Sequence, residues 1–300
     1  MLIEFLDKIY SSLRKRNKVQ SLLRFCIRKI SNFLLPHYFK ISRKDLILPE
    51  NDIIVSFTTF PQRIDKVWLV LECMLRQDLL PNMIILWLSD NQFPNKEADL
   101  PDNLKYYLKN NLLIVKFVTE DLRSHKKYFY TLQKYPKSKI VVIDDDIFYP
   151  KTIISDLIKL HDKYPKTICC HRAHKVVFGE LGELLPYKKW KKQYYKNEPS
   201  FNLFHTSGGG TLYMKEFFDE NLFDKEVFKK FCFLADDVWL NLIAQKSGTK
   251  TVKSNYFSNL IPIENNSEKL SKRNVSQGGN DQQISAVINY YNLSKNEIFR

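Results

Sequence analysis

Glycine and proline are scarce, eight and twelve in 300 residues, which excludes collagen-like and low-complexity chains. Cysteine is scarce too. The five are scattered, with one adjacent pair (Cys169, Cys170) and no CxxC. They make neither a disulfide framework nor a metal-finger spacing, and they fit a reducing cytoplasm. No apolar run approaches the ~18 residues of a membrane-spanning helix. No repeat of solenoid period recurs, and no recognised nucleic-acid reader motif accompanies the basic residues. Acidic residues are in deficit, 33 against 47 Lys and Arg, leaving a net charge of +14. What is present, 44% hydrophobic and 27% charged residues, is ordinary for a globular chain with a sizeable core.

Half of the excess charge sits in the first sixth of the chain. Residues 1–50 carry 11 Lys and Arg against 4 Asp and Glu. Leu2, Phe5, Ile9 and Leu13 recur at helical spacing, as do Leu22, Cys26, Ile30 and Phe33, with Arg14, Lys15, Arg16, Lys18, Arg24, Arg28 and Lys29 between them. Two basic amphipathic helices on an anionic membrane surface are expected over 1–48; a helical hairpin packed on the main domain is the alternative. A signal peptide is disfavoured by early acids (Glu4, Asp7) and by the lack of a small-residue cleavage site. Pro36 and the polar stretch 40–52 mark the expected boundary with a main domain over 49–300.

Beyond that boundary, short apolar runs alternate with helical segments. Strands are predicted at Ile53–Phe57, Met83–Leu88, Leu113–Val118 and Lys139–Ile143, with helices at Val67–Arg76, Asn103–Asn110 and Ser124–Lys134. The pattern predicts an open α/β sheet, in which ligands bind beyond the carboxyl ends of the strands. The second half is less regular. It holds an expected helix at Asp236–Gln245 and a basic, aromatic stretch at Leu184–Asn197 read as exposed.

The strand ends carry the chemistry. The fourth runs into Asp144-Asp145-Asp146. Three successive carboxylates need compensating charge or solvent, and strand alternation would turn Asp144 and Asp146 to one side, suited to Mg2+ or Mn2+. The first strand leads to Thr58, Thr59 and Arg63; the second to Asp90, placed to accept an imide N–H from a base or to cap a turn. Arg123–Tyr128 supplies basic groups suited to a diphosphate. Asp236 and Asp237 open a helix, where one acid satisfies the cap and one is spare. Ser207–Gly210 is a glycine-rich loop.

Together these residues resemble the GT-A glycosyltransferases, in particular bacterial family-2-like enzymes of capsule and lipopolysaccharide synthesis, over roughly residues 50–260. The resemblance implies a Rossmann-like sheet flanked by helices and a nucleotide-diphosphate sugar donor, UDP-linked by preference. It also implies transfer with inversion to a hydroxyl of a surface glycan or lipid-linked glycan. Asp144 and Asp146 would hold Mn2+ or Mg2+. Thr58, Arg63, Asp90, Lys127, Asp145 and Gly209 would bind the donor, and Asp237 or Asp236 would act as base. The chain departs from many metal-dependent members in having no histidine after Asp237, and in an Asp-Asp pair where Glu-Asp is more usual. The place implied is the cytoplasmic face of a bacterial plasma membrane, with no nucleic-acid partner. A metal-dependent phosphohydrolase or nuclease, and a non-catalytic glycan-binding protein, are the competing readings.

Overall fold

The computed structural model describes residues 2–13, 17–43, 46–192, 194, 198–254, 259–265, 274, 278–294 and 298–300. Two helices come first, α1 (Leu2–Ser12) and α2 (Lys18–Ile41). Then β1 (Ile53–Thr58), α3 (Val67–Met74), β2 (Met83–Ser89), α4 (Asp102–Lys109), β3 (Ile114–Val118), α5 (Lys126–Lys134) and β4 (Lys139–Val142) alternate. A short β5 (Ile147–Phe148) precedes α6 (Ile153–Lys163), β6 (Thr167–Cys170), and the pair β7 (Ala173–Lys175) and β8 (Leu203–His205). The described elements end with β9 (Thr211–Tyr213), α7 (Lys225–Phe231), α8 (Asp236–Lys246), β10 (Lys250–Lys253), β11 (Ile261–Pro262) and α9 (Gly279–Tyr290).

Seven strands form one sheet in the order β10-β6-β9-β4-β1-β2-β3. β1 pairs in parallel with β2 and β4, β2 with β3, and β6 with β10, while β9 runs antiparallel between β4 and β6. The expected mixed α/β architecture, a Rossmann-like and mostly parallel sheet flanked by helices, is therefore what the chain adopts. β1 and β4 are apolar on both faces because both are covered: Ile54, Val55, Phe57, Ile140, Val141 and Val142 are all buried. The chain leaves β1 for β2 and β3 on one side, then returns to β4 on the other. That reversal opens a crevice beyond the carboxyl ends of β1 and β4, where the Thr58–Arg63 and Asp144–Asp146 runs begin.

Ser56 shows how the sheet places a helix. Its hydroxyl, inside β1, donates to the Lys127 carbonyl at 2.5 Å and lies 2.7 Å from the Thr131 hydroxyl. Trp87 of β2 donates its indole N–H to the same Thr131 oxygen at 2.7 Å. Three otherwise orphaned polar groups are satisfied together, and the first turn of α5 is fixed against the sheet.

The N-terminal helices turn a different face inward from the stripe read in the sequence. Ile3, Leu6 and Tyr10 of α1 and Leu35 and Phe39 of α2 are buried in the main core. Phe5, Leu22 and Phe33 are 62%, 62% and 68% exposed. Arg24 is buried instead, its guanidinium 3.9 Å from the Tyr10 ring centroid and donating to the carbonyl of Leu13 at 2.6 Å, so that it closes the end of α1. Arg14, Lys15 and Arg16 lie outside the described residues. α2 continues through Pro36 to Ile41, because Leu35 and Phe39 on either side are anchored in the core. Burying each such side chain is worth about 1.5–3 kcal/mol, enough to offset the missing N–H bond. Among the described residues no helix is long and apolar enough to cross a membrane.

The 184–197 stretch also differs from its reading. Tyr187 and Trp190 are buried against each other and Phe204, while Lys188, Lys189, Lys191 and Lys192 face outward. A run of alternating rings and lysines looks uniformly polar along the sequence; the partners Phe204 and Phe299 come from elsewhere. Residues 193 and 195–197 lie outside the described residues.

Candidate active site

A cleft of about 990 Å3 opens at the switch point, lined by Thr58, Arg63, Asp144–Asp146, Arg172, Ser207, Asp236 and Asp237 among others. The acidic run is not strand, since β4 ends at Val142. Two-residue alternation accordingly does not govern it. Asp145 is buried, accepting from the Thr59 hydroxyl at 2.5 Å and from Arg63 Nη1 at 2.7 Å. The same Nη1 lies 3.0 Å from Asp146 Oδ2, while Asp144 Oδ1 turns to Lys127 Nζ at 2.9 Å. Burial pushes the Asp145 carboxyl up despite Arg63. Burial also works to lower the guanidinium of Arg63, yet Asp145 and Asp146 hold it above its ordinary value.

Backbone bonds hold the run in place. Tyr149 donates its hydroxyl to the Gly208 carbonyl at 2.7 Å and accepts the Asp144 N–H at 2.9 Å, tying the acids to the glycine loop. The Ile263 N–H, just past β11, donates to the Asp146 carbonyl at 2.8 Å. In the loop, a Cβ on Gly208 would stand 1.9 Å from Asp144 Oδ2 and 2.7 Å from Arg172 Nη2. Only glycine permits that approach.

Lys127 joins the acidic run to the helix pair. Its ammonium, buried, lies 2.9 Å from Asp144 and 3.0 Å from Asp236 Oδ2. Burial opposes its charge, but Asp144, Asp236 and Asp237 hold its pKa above the ordinary value. The two acids of α8 diverge in turn. Burial raises Asp236, and Lys127 with His125 overcomes this to leave it below the usual carboxylate range. Asp237 is raised to about 6, by burial first and then by the charge of Asp236. Its Oδ1 accepts from the Ser207 N–H at 2.8 Å and the Ser207 hydroxyl at 2.7 Å. Two adjacent carboxyls with separated pKa values give one permanent anion and one poised base.

Of the residues singled out in the sequence, Thr58, Arg63, Lys127, Asp144, Asp145, Asp146, Asp236 and Asp237 all line this cleft. Thr58 spends its hydroxyl on the Trp87 carbonyl at 2.7 Å. Asp90 does not reach the cleft lining; it sits at the end of β2 with Oδ1 enclosed and no hydrogen-bond partner among the described residues. Gly209 is buried in the turn behind Gly208. Asn280, just inside α9, does line the cleft, and Asp281 beside it accepts the Tyr187 N–H at 2.7 Å.

Sequence reasoning missed Arg172 and His174; Tyr187 and Lys192, which also line the cleft, belong to the aromatic, basic stretch read as exposed, with an acceptor contact as the alternative. The strand-end rule would have found Arg172, two residues past β6. Nothing local singles out Lys192 within its stretch. Among the described residues no three His, Cys, Asp or Glu converge as a metal cage. Asp144 and Asp146 nonetheless fit a hard divalent ion. They are two carboxylates at the cleft, and Mg2+ is commonly held by one or two carboxylates with substrate phosphates and water.

No protein-family model matches the chain. No curated protein sequence matches it either. Solved structures resemble it in part. A mannosyltransferase from Pyrobaculum calidifontis in complex with GDP-Man and Mn2+ is similar at 12% identity and a TM-score of 0.47, over 95% of this chain and 76% of that one. Staphylococcus aureus TarS 1–349 in complex with UDP is similar at 12% and 0.41, over 68% and 58%. A 4-diphosphocytidyl-2C-methyl-D-erythritol synthase is similar at 10% and 0.41, over 76% and 99%. At TM-scores below 0.5 and such identities the likeness is partial and assigns this chain no role.

Proposed function

We propose that this chain is a glycosyltransferase that moves a sugar from a nucleotide-diphosphate donor, UDP-linked by preference, to a hydroxyl of a bacterial surface-glycan acceptor, with inversion. One observation carries the reading. A paired acidic run and a raised, hydrogen-bonded carboxyl, Asp237, face the same cleft at the switch point, bridged by Lys127. Asp90, enclosed at the end of β2 and outside the cleft lining, takes no part in it, which corrects its expected role at the base.

In the reaction the acceptor hydroxyl attacks the anomeric carbon, the bond from that carbon to the diphosphate oxygen breaks, and Asp237 takes the hydroxyl proton. Asp236 stays ionised beside Lys127 and keeps Asp237 basic. Arg63 supports the acidic run at the donor end. Asp144 and Asp146 would hold a Mg2+ or Mn2+ ion, which when bound supplies charge neutralisation for the departing diphosphate.

The partner surface belongs to the same proposal. Phe5, Leu22, Ile30 and Phe33 lie exposed on α1 and α2 near Lys18 and Lys29. Such a face suits an anionic leaflet and would hold the protein at the inner face of the plasma membrane, next to a lipid-linked acceptor. Residues 1–48 serve as the attachment segment and 49–300 as the transferase domain.

Calorimetric titration with UDP, GDP and CMP, with and without Mn2+, tests the donor site. The expected result is metal-dependent binding of UDP that is lost in Asp146→Ala. Absence of binding by all three nucleotides would overturn the reading in favour of a hydrolase or a glycan-binding protein.

A further inference from the structure

The cleft is lined by as many carboxylates as Lys and Arg, but they are unevenly paired. Each of its six carboxylates has a partner: Asp121 with Lys126, Asp144 and Asp236 with Lys127, Asp145 and Asp146 with Arg63, and Asp237 with Ser207. Those pairings use three of the six Lys and Arg in the wall. Arg123 lies over the Phe233 ring on the α5 side, 5.1 Å from its centroid. Arg172 and Lys192 also line the cleft, and among the described residues neither forms an ion pair.

Their surroundings are built. Arg172 Nε donates to the Thr206 hydroxyl, and the Thr206 N–H returns a bond to the Arg172 carbonyl at 2.9 Å. Thr206 precedes Ser207, which holds Asp237. Lys192 Nζ lies 5.8 Å from the Tyr187 ring centroid, and that ring meets His174 edge-on at 5.7 Å. Burial, then Arg172 and Lys192, lowers His174 to about 3. The imidazole between the two cations therefore stays neutral and adds no repulsion. Two cations that share a wall and hold no ion pair of their own suit an oxyanion, even with the Asp144 carboxylate near Arg172 across Gly208.

We propose that Arg172 and Lys192, on the platform of Tyr187 and His174, bind an oxyanion carried by the acceptor, so that the substrate glycan is a phosphate- or carboxylate-bearing one. The proposal rests on the transferase reading for the word acceptor, but not for the site. Arg172 is bonded to Thr206, the residue before Ser207, whose hydroxyl meets Asp237, which puts the anion near the attacking hydroxyl.

The test uses the full chain and glycerol 3-phosphate as probe, titrated with and without saturating UDP and Mg2+, with glycerol as the uncharged control. Glycerol 3-phosphate is expected to bind equally well with UDP present, and glycerol not to bind. Arg172→Gln and Lys192→Gln are each expected to weaken binding about tenfold, the scale of one charge-assisted hydrogen bond. Competition between UDP and the probe would assign the cations to the donor diphosphate and overturn the proposal, as would unchanged affinity in both variants. If Arg172→Gln misfolds by circular dichroism, the exposed Lys192→Gln decides. Failure of UDP to bind at all would sink the transferase reading, while probe binding to the UDP-free protein would still report on the subsite.

Discussion

In the proposed reaction Asp237 would combine the role of base with a stability penalty in one side chain. Its raised pKa means that the folded protein binds the proton more tightly than the unfolded chain does. The fold therefore loses stability as pH rises through the interval from the ordinary carboxylate value to about 6. Asp237→Asn should melt higher than the wild type at pH 7.5, by on the order of 1–3 kcal/mol, and the gain should vanish near pH 4. The same change should cut turnover about 10²–10⁴-fold while UDP still binds; a variant with normal turnover would remove Asp237 from the role of base. The acid limb of the wild-type rate profile should lie near pH 6. Ser207→Ala removes a hydroxyl that favours the ionised form, and it should move that limb upward. These residues were legible in the sequence because an acidic pair opening a helix is a local signal. Which of the two is the base was not, because Lys127 and Ser207 decide it from other elements.

Among the elements, α2 shows the limit of periodicity. Leu22, Cys26, Ile30 and Phe33 form a faultless apolar stripe, yet the stripe faces outward. The inward face is Arg24, Ser31, Leu35 and Phe39. A spacing rule finds the stripe but cannot say what covers it. Removing the whole segment would strip the core of Leu35 and Phe39, so attachment is better tested on the surface. Leu22→Glu combined with Phe33→Glu should leave the melting temperature nearly unchanged and weaken binding to anionic vesicles about tenfold or more. Unaltered vesicle binding would exclude this face as the contact. The end of α2 is fastened from α3. Glu72, buried, pairs with Arg43 at 3.1 Å and with Arg76, which also donates to the Ser42 hydroxyl at 3.0 Å. Glu72→Ala leaves the partly exposed Arg43 and Arg76 without their counter-charge and should cost up to about 3 kcal/mol in denaturant unfolding.

Across the whole molecule, the parallel half was readable: four buried apolar runs alternating with helices imply β1 to β4, and the strand-end rule then leads to the acids. The other half was not. β9 is only three residues long and enters antiparallel between β4 and β6, a pairing of high sequence separation that leaves no local trace. Tyr187 and Lys192 reach the cleft through contacts of the same long-range kind. At this scale two bulk variables separate the proposed partners. Chelation should weaken UDP binding without releasing the protein from vesicles, whereas raising salt from 50 to about 500 mM should weaken attachment far more than UDP binding.

The segment 261–265 has contacts on both sides. Asn32 of α2 donates to the Pro262 carbonyl at 2.9 Å and accepts the Glu264 N–H at 2.8 Å, while Arg28 and Lys29 clasp the Glu264 carboxylate at 3.0 and 2.8 Å. One residue away, Ile263 holds the Asp146 carbonyl. The helix that would rest on a bilayer is thus two hydrogen bonds from the acids that would grip the donor. Under the proposed function, docking and donor capture would share this strut. Vesicles are then expected to change UDP affinity in the wild type, and to change it less in Asn32→Ala, measured by titration with and without vesicles.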